Sequence, residues 1–368
     1  MGGGSEVLGP PPAVADDRFV RVAAALCADL LEPHAEQVDV DGVPRSHLES
    51  LAYAGLLGLA APADIGGGEA TPAVVREVTE LLAGADGSTW LVAAQHASPL
   101  TMLTASANAD LRAAWLPDLV RGGTLAGVAF SHLRRPGPVP VTARPTAHGY
   151  DVSGTVAWMT SWGLAEVFLL ASVTPDDEIV WALLPARDET ERVMSAPLRL
   201  AAMAGTGTVT LQLAGVRVRE ADIVSVEPLQ SWRERDRQRT ANATPAVFGL
   251  LRTVVRRLAA AAERRREPAG VALAERFASE AARLRAAAYR LVDDVPAAES
   301  LEERLEIRAA GLDLAVRASA ALVAVGAGGS MALTAPAQRL AREALFHLVQ
   351  AQTGPVRTAT LRRLAGPG

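Results

Sequence analysis

Trp158 and Thr160 stand two residues apart in a stretch whose alternation reads as a β-strand, so an indole and a hydroxyl leave the chain on the same side. Such a face can receive a ligand or can be ordinary β-domain packing. Arg134 and Arg135, in a loop with Pro136 and Gly137, could attract an anionic substrate, or could be solvated like most loop arginines. The run Arg264–Arg266 precedes a helix break, where a positive end suits a pyrophosphate and equally suits water. The glycine-rich segments Ile65–Glu69 and Gly326–Ser330 lack GxGxxG spacing between a strand and a helix and read as turns. There is no GxSxG elbow and no HExxH, and the six histidines are too scattered to define a metal site.

Composition removes further chemistries. All 36 basic residues are arginine, which excludes a Schiff-base lysine, a pyridoxal-phosphate anchor and the lysine of a P-loop. The single cysteine, Cys27, sits in the apolar helical stretch Phe19–Leu31, so no internal disulfide forms and a packing role is expected. A net charge of −5 argues against a nucleic-acid or anionic-membrane partner. No uninterrupted apolar run reaches the roughly 18 residues that cross a bilayer, and the first 17 residues lack a signal-peptide pattern, so a cytoplasmic protein is expected.

The elements that must position these residues fall into three blocks. After a Gly/Pro-rich start, expected to be disordered over residues 1–16, residues 17–122 read as helices: Phe19–Leu31, Ser46–Leu57, Pro72–Ala85, Thr89–Ala105 and Asn108–Arg121. Residues 123–228 change to short Val/Thr-rich runs: Leu125–Ser131, Val141–Pro145, Tyr150–Met159, Glu166–Ser172, Ile179–Leu184 and Thr208–Val218. Residues 229–368 return to long helices, with Pro245 at a first-turn position and Pro268 and Pro296 marking interruptions. Val271–Val295, Ser300–Val325 and Ala335–Gln352 are expected to bundle antiparallel.

This order and several local strings resemble the acyl-CoA dehydrogenase family across nearly the whole chain. Gly55-Leu56-Leu57-Gly58-Leu59 with Pro62 and Gly66-Gly67 is similar to the family's GLLGL..P..YGG segment, and Asp86-Gly87-Ser88-Thr89-Trp90 to its D.S..W helix. Val152–Thr160 resembles the NG.K.WIT string, Met203–Thr206 with Val216–Val218 the end of the β-domain, and Gly326–Gly329 the FGG.G segment. The resemblance implies a mostly α fold: an N-terminal helical domain, a β-barrel-like middle domain and a C-terminal four-helix bundle that together hold FAD. It implies that Trp158 packs beside the flavin, that Thr160 and Ser131 lie at its edge, and that Arg264, Gly326, Gly328 and Gly329 serve the adenosine half in an oligomer.

In this family a glutamate removes the α-proton of an acyl thioester while a hydride leaves for the flavin. The matching register here gives Gln350, whose carboxamide is not a useful proton acceptor. Asp236 or Glu234, on the first helix after the β-domain, are the candidates for a displaced base, although the alternating charges of Arg233–Arg239 also fit a solvated helix face. Three readings stay open: a dehydrogenase acting on an acyl thioester of CoA or a carrier protein, a flavin oxygenase or oxidase of the same fold, and a non-catalytic subunit paired with an active homologue.

Overall fold

The structure is a computed structural model and describes residues 8–366. Asp17 accepts from the Phe19 amide and starts α1 (Arg18–Leu26), which continues through a widened turn at Cys27–Leu31 into α2 (Glu32–Asp41). The helix expected to stop at Leu31 therefore runs ten residues further, to Gly42 with φ +103°. Then come α3 (Arg45–Tyr53), α4 (Pro72–Ala85), α5 (Gly87–Thr104) and α6 (Ala109–Arg121). The Asp86 carboxylate accepts from the amides of Ser88 and Thr89 and so fixes the α4–α5 corner. Cys27 is buried in this domain's core, and burial pushes its thiol up to about 12, which suits packing and not redox chemistry.

The expected disorder over residues 1–16 requires correction from residue 8 onward; residues 1–7 lie outside the described residues. Leu8 packs into the C-terminal core, and a helical turn at Pro12–Ala15 buries Val14 in the N-terminal one. Two apolar side chains find partners there despite the Gly/Pro-rich composition.

The middle domain has β1 (Ala126–Ala129), β2 (Val141–Thr146), β3 (Gly149–Met159), β4 (Val167–Val173), β5 (Glu178–Pro185), β6 (Arg192–Met194), β7 (Val209–Arg219) and β8 (Ile223–Pro228). They form one mixed sheet in the order β6-β7-β3-β2-β4-β5-β8, with β1 also on β4. The end strands β6 and β8 do not pair with each other, so the barrel-like domain is an unclosed one. One edge of β4 is shared: β1 takes Val167 to Leu170 in parallel register, and β2 meets only Val173. The sheet is thus split between β1 and β2, and the chain crossing that split carries Ser131 to Arg135. Strands β6 and β8 were not expected from the sequence, because one is three residues long and the other has a mixed burial pattern.

The C-terminal domain contains α7 (Leu229–Ala241), α8 (Pro245–Arg265), α9 (Pro268–Asp294), α10 (Leu301–Gly326), α11 (Pro336–His347) and α12 (Gly354–Leu364). Helices α8 to α11 make the expected four-helix bundle, and α12, not expected, packs along α10. By length and composition α10 is apolar enough to span a membrane, with a mean hydropathy of 1.5 over its best eighteen residues, although Asp313 and Arg317 interrupt it. Its place against α8, α9, α11 and α12 makes it a core helix of the bundle.

Helix α8 also packs on α4 of the N-terminal domain. Gly84 and Gly249 allow this: a Cβ on Gly84 would lie 2.5 Å from the Gly249 carbonyl oxygen, and one on Gly249 would overlap the Glu80 carbonyl oxygen. Two fully buried carboxylates, Glu77 and Glu80, then pair with Arg252 and Arg285 across the contact at 2.6 to 2.8 Å. Because the obstacle is backbone on both sides, Gly249→Ala is expected to cost about 1–3 kcal/mol, read as a lower thermal midpoint by calorimetry, whereas alanine at the open Gly328 leaves it unchanged.

Candidate functional site

At the end of β3 the side chain of Met159 is fully buried, while Trp158 is 46% exposed and Thr160 is half-buried on the opposite side. Thr160 Oγ1 lies 3.4 Å from Thr208 Oγ1, which lies 2.8 Å from Thr206 Oγ1, and Thr206 donates to Met203 O at 2.7 Å. This hydroxyl chain holds the strand end. Ser131, exposed, opens a helical turn, Ser131–Arg134, in the split of the sheet. From the C-terminal domain, the turn after α11 brings Gln350 to the same place. Ser131, Trp158, Thr160 and Gln350 all line one cleft of about 1370 Å³ between the three domains.

Its walls are unusual in charge. Arg76, Arg134, Arg239, Arg308 and Arg342 line it, and among the described residues no aspartate, glutamate or histidine does. Arg76 is paired with Asp293, Arg342 with Asp39, and Arg134 and Arg239 share Asp236. Among the described residues Arg308 has no carboxylate within ion-pair distance. Behind the wall His347 is completely enclosed against Trp90 and Phe346, with Nδ1 3.0 Å from Gln350 Oε1. Burial, reinforced by the charge of Arg308 and opposed by the Gln350 bond, lowers its pKa to about 4, so the ring is neutral at pH 7.

A second hollow of about 650 Å³ adjoins the first and shares Ser131, Arg134 and Trp158 with it. Arg135, Arg233, Arg237 and Arg357 line it, beside the N-terminus of α12 at Thr353, Gly354 and Pro355. Glu234 and Asp236 belong to this hollow and not to the cleft, which corrects the expectation that either replaces the base. Glu234 is exposed and bonded to Gln230. Asp236 is only 4% exposed and is held by Arg134 through two 2.8 Å bonds and by Arg239 at 2.7 Å. Burial alone would raise its pKa, but the bonds and charge of Arg134, then Arg239, outweigh it and hold the carboxyl below its usual range. An acid so strongly paired is a poor proton acceptor.

Arg264, Gly326, Gly328 and Gly329 lie away from both hollows, at the ends of α8 and α10. There it is Arg265, not Arg264, that donates to Gly326 O, at 2.9 Å, and Gly328 and Gly329 have nothing close above them. Sequence reasoning missed Arg308 and His347. A signal existed for the first: Arg304 and Arg308 fall in phase with the buried Leu312, Ala315 and Leu322 of α10.

Residues 15–123 match the family profile described as acyl-CoA dehydrogenase, N-terminal domain. The glutaryl-CoA dehydrogenase of Mycobacterium smegmatis, solved in complex with FADH2, superposes with a TM-score of 0.81 at 16% identity, over 98% of this chain and 96% of that one. This chain therefore resembles the acyl-CoA dehydrogenases over its N-terminal domain and shares the fold of these solved structures along its whole length. Butyryl-CoA dehydrogenase from Megasphaera elsdenii gives a TM-score of 0.74 at 16% identity, over 94% and 97% of the two chains. FkbI, solved in connection with the biosynthesis of a methoxymalonyl extender unit, gives 0.75 at 21% identity, over 94% and 99%. No curated protein sequence matches the chain. Within this fold the chain places an exposed tryptophan at the cleft and, among the described residues, no carboxylate in the cleft lining.

The Arg134–Asp236–Arg239 cluster fixes the wall shared by the two hollows. Asp236→Asn should destabilise the protein by about 3 kcal/mol, since it leaves a largely buried arginine without its counter-ion. The folded-state pKa of Asp236 is depressed, so this contribution is full above its ordinary value of 3.8 and is lost as the pH falls further. In urea titrations the gap between wild type and variant should therefore be constant from pH 7 to about 5 and shrink only below 3.8.

Proposed function

We propose that the chain is a flavin-dependent oxidoreductase that holds FAD with its ring against Trp158 and oxidises an acyl thioester, or a related small substrate, without a protein carboxylate at the α-carbon. The observation that carries this is the meeting of Trp158, Thr160, Ser131 and Gln350 on one cleft large enough for a flavin ring and a substrate together. The residues fit the cofactor. An indole left 46% exposed offers a flat apolar wall, and the hydroxyls of Thr160 and Ser131 offer hydrogen bonds at the edge of a ring lying on it. Arg135, Arg357 and the N-terminus of α12 in the second hollow suit a diphosphate.

Bound flavin would supply the hydride acceptor. What the chain's own residues do is positional. Thr206 and Thr208 orient Thr160, and Asp236 orients Arg134. Gln350, fixed by His347, presents a carboxamide where the family's base would stand. This favours a substrate that gives up its proton without a strong base, or oxygen chemistry that needs none. The absence of any carboxylate in the lining also supports a second reading, a non-catalytic subunit beside an active homologue. We further propose an oligomeric, cytoplasmic protein in which the open glycines Gly326, Gly328 and Gly329, near the exposed Met331 and Leu333, meet a neighbouring subunit's cofactor.

The visible absorption spectrum of the purified protein after addition of FAD tests the reading. Flavin bands at one FAD per chain are expected, and Trp158→Ala should weaken FAD binding about fivefold, the loss of roughly 1 kcal/mol of aromatic stacking. Protein that stays colourless with excess FAD overturns both enzyme readings and leaves the non-catalytic subunit. If flavin is bound, anaerobic bleaching by an acyl thioester identifies the dehydrogenase, and reduction only through an external reductase identifies the oxygenase.

A further inference from the structure

Two arginines one turn apart on α10 have opposite circumstances. Arg304 is 1% exposed and fully used: it donates to the carbonyls of Leu291, Val295, Pro296 and Glu299 and to Asn242 Oδ1 at 2.7 to 3.1 Å, closing the end of α9. Arg308 is 5% exposed and bonded only to the carbonyls of Thr240 and Gln350, and its Nε is buried with no partner. Of its five N–H groups three are left unassigned, and the residue lines the cleft.

The charge around it does not balance. Three arginines, Arg134, Arg239 and Arg308, surround the single carboxylate Asp236, which Arg134 and Arg239 already occupy. His347, on the other side, is neutral. Gln350 Oε1 faces His347, so its amide nitrogen is a further donor at the same corner. An enclosed guanidinium with idle donors and no carboxylate within ion-pair distance is costly to keep, and an anion that reaches it from the cleft removes that cost.

We infer that Arg308 is a specificity-determining residue that receives a carboxylate of the substrate, so that the cleft takes acyl thioesters carrying a second, ionised carboxyl close to the reacting carbon. This deepens the proposed function and rests on it for the thioester. The carboxylate lies beside Arg308 and the Gln350 amide. Arg76 and Arg342 already have carboxylates of their own and Arg134 and Arg239 share Asp236, so these four add only a positive field.

The test is calorimetric titration of the full protein, with and without FAD, using two matched pairs: malonyl-CoA against propionyl-CoA, and succinyl-CoA against butyryl-CoA. Within each pair a carboxylate replaces a methyl group. The diacid thioester of at least one pair should bind about tenfold tighter than its neutral partner, the size of one charge-assisted hydrogen bond. Arg308→Met should abolish that preference, the ratio of affinities within each pair falling to about one, and Arg308→Lys, which keeps the charge, should retain part of it. Equal binding within both pairs, or an undiminished preference in Arg308→Met, overturns the inference. Loss of FAD binding in Arg308→Met with the preference intact also overturns it, because the arginine would then serve the cofactor. A diacid preference in a protein that never binds FAD would sink the flavin reading and leave this one standing.

Discussion

Gly84 and Gly249 let α4 and α8 touch backbone to backbone, and the cleft depends on that contact. With any side chain at either glycine the two helices would separate, and with them Pro72, Val75 and Arg76 on one wall and Thr244 and Pro245 on the other. The approach also buries Glu77 and Glu80, whose desolvation is offset by pairing with Arg252 and Arg285, and Tyr289 donates to Glu80 at 2.6 Å. A buried network of this kind contributes less through net energy than through position. It admits one register of the N-terminal domain on the bundle, and that register decides which faces of α4 and α9 line the cleft.

The third wall comes from an irregularity in the sheet. Had β2 continued along β4 where β1 stops, the segment between them would be a covered crossover. Instead β1 and β2 share one edge of β4, and the chain must leave and re-enter the sheet between them. Phe130 stays under this exit, edge-on to Trp181 and Trp232, and Arg134 lies over Phe130 and Trp232. The aromatic cluster is thus a footing for the loop, and the Arg134–Asp236 pair ties the loop to α7. Backbone topology and one ion pair together place Ser131 opposite Gln350.

Much of this was legible in the sequence, for reasons that can be stated residue by residue. Helix α4 was expected at its observed bounds because Pro72 and the Thr71 cap give a clear start and Asp86 a clear stop. Six of the eight strands were visible because Val, Thr and aromatic residues alternate or run together. Helix α12 was not, since Thr353-Gly354-Pro355 looks like a loop and is in fact a helix start with proline in the first turn. At the site, Trp158, Thr160 and Gln350 were singled out by the resemblance, the two-residue spacing of the first two being compatible with one face of a strand, and the structure brings the three together. The failure of Asp236 as a base could not be read, because its partner Arg134 is 102 residues away and nothing local announces the pair.

The glutamine at position 350 and the arginine at 308 are better understood together than apart. Arg308 donates to the Gln350 carbonyl, so any side chain at 350 sits in the field of an enclosed guanidinium. A carboxylate there would be drawn into an ion pair, its pKa would fall, and it would lose the basicity for which the family uses it. With an amide at 350 the same corner keeps its idle donors, and the proposed carboxylate site rests on them. On the proposed reading, the amide at 350 and the arginine on α10 are two halves of one change in polarity, the second hidden in the phase of an apolar helix.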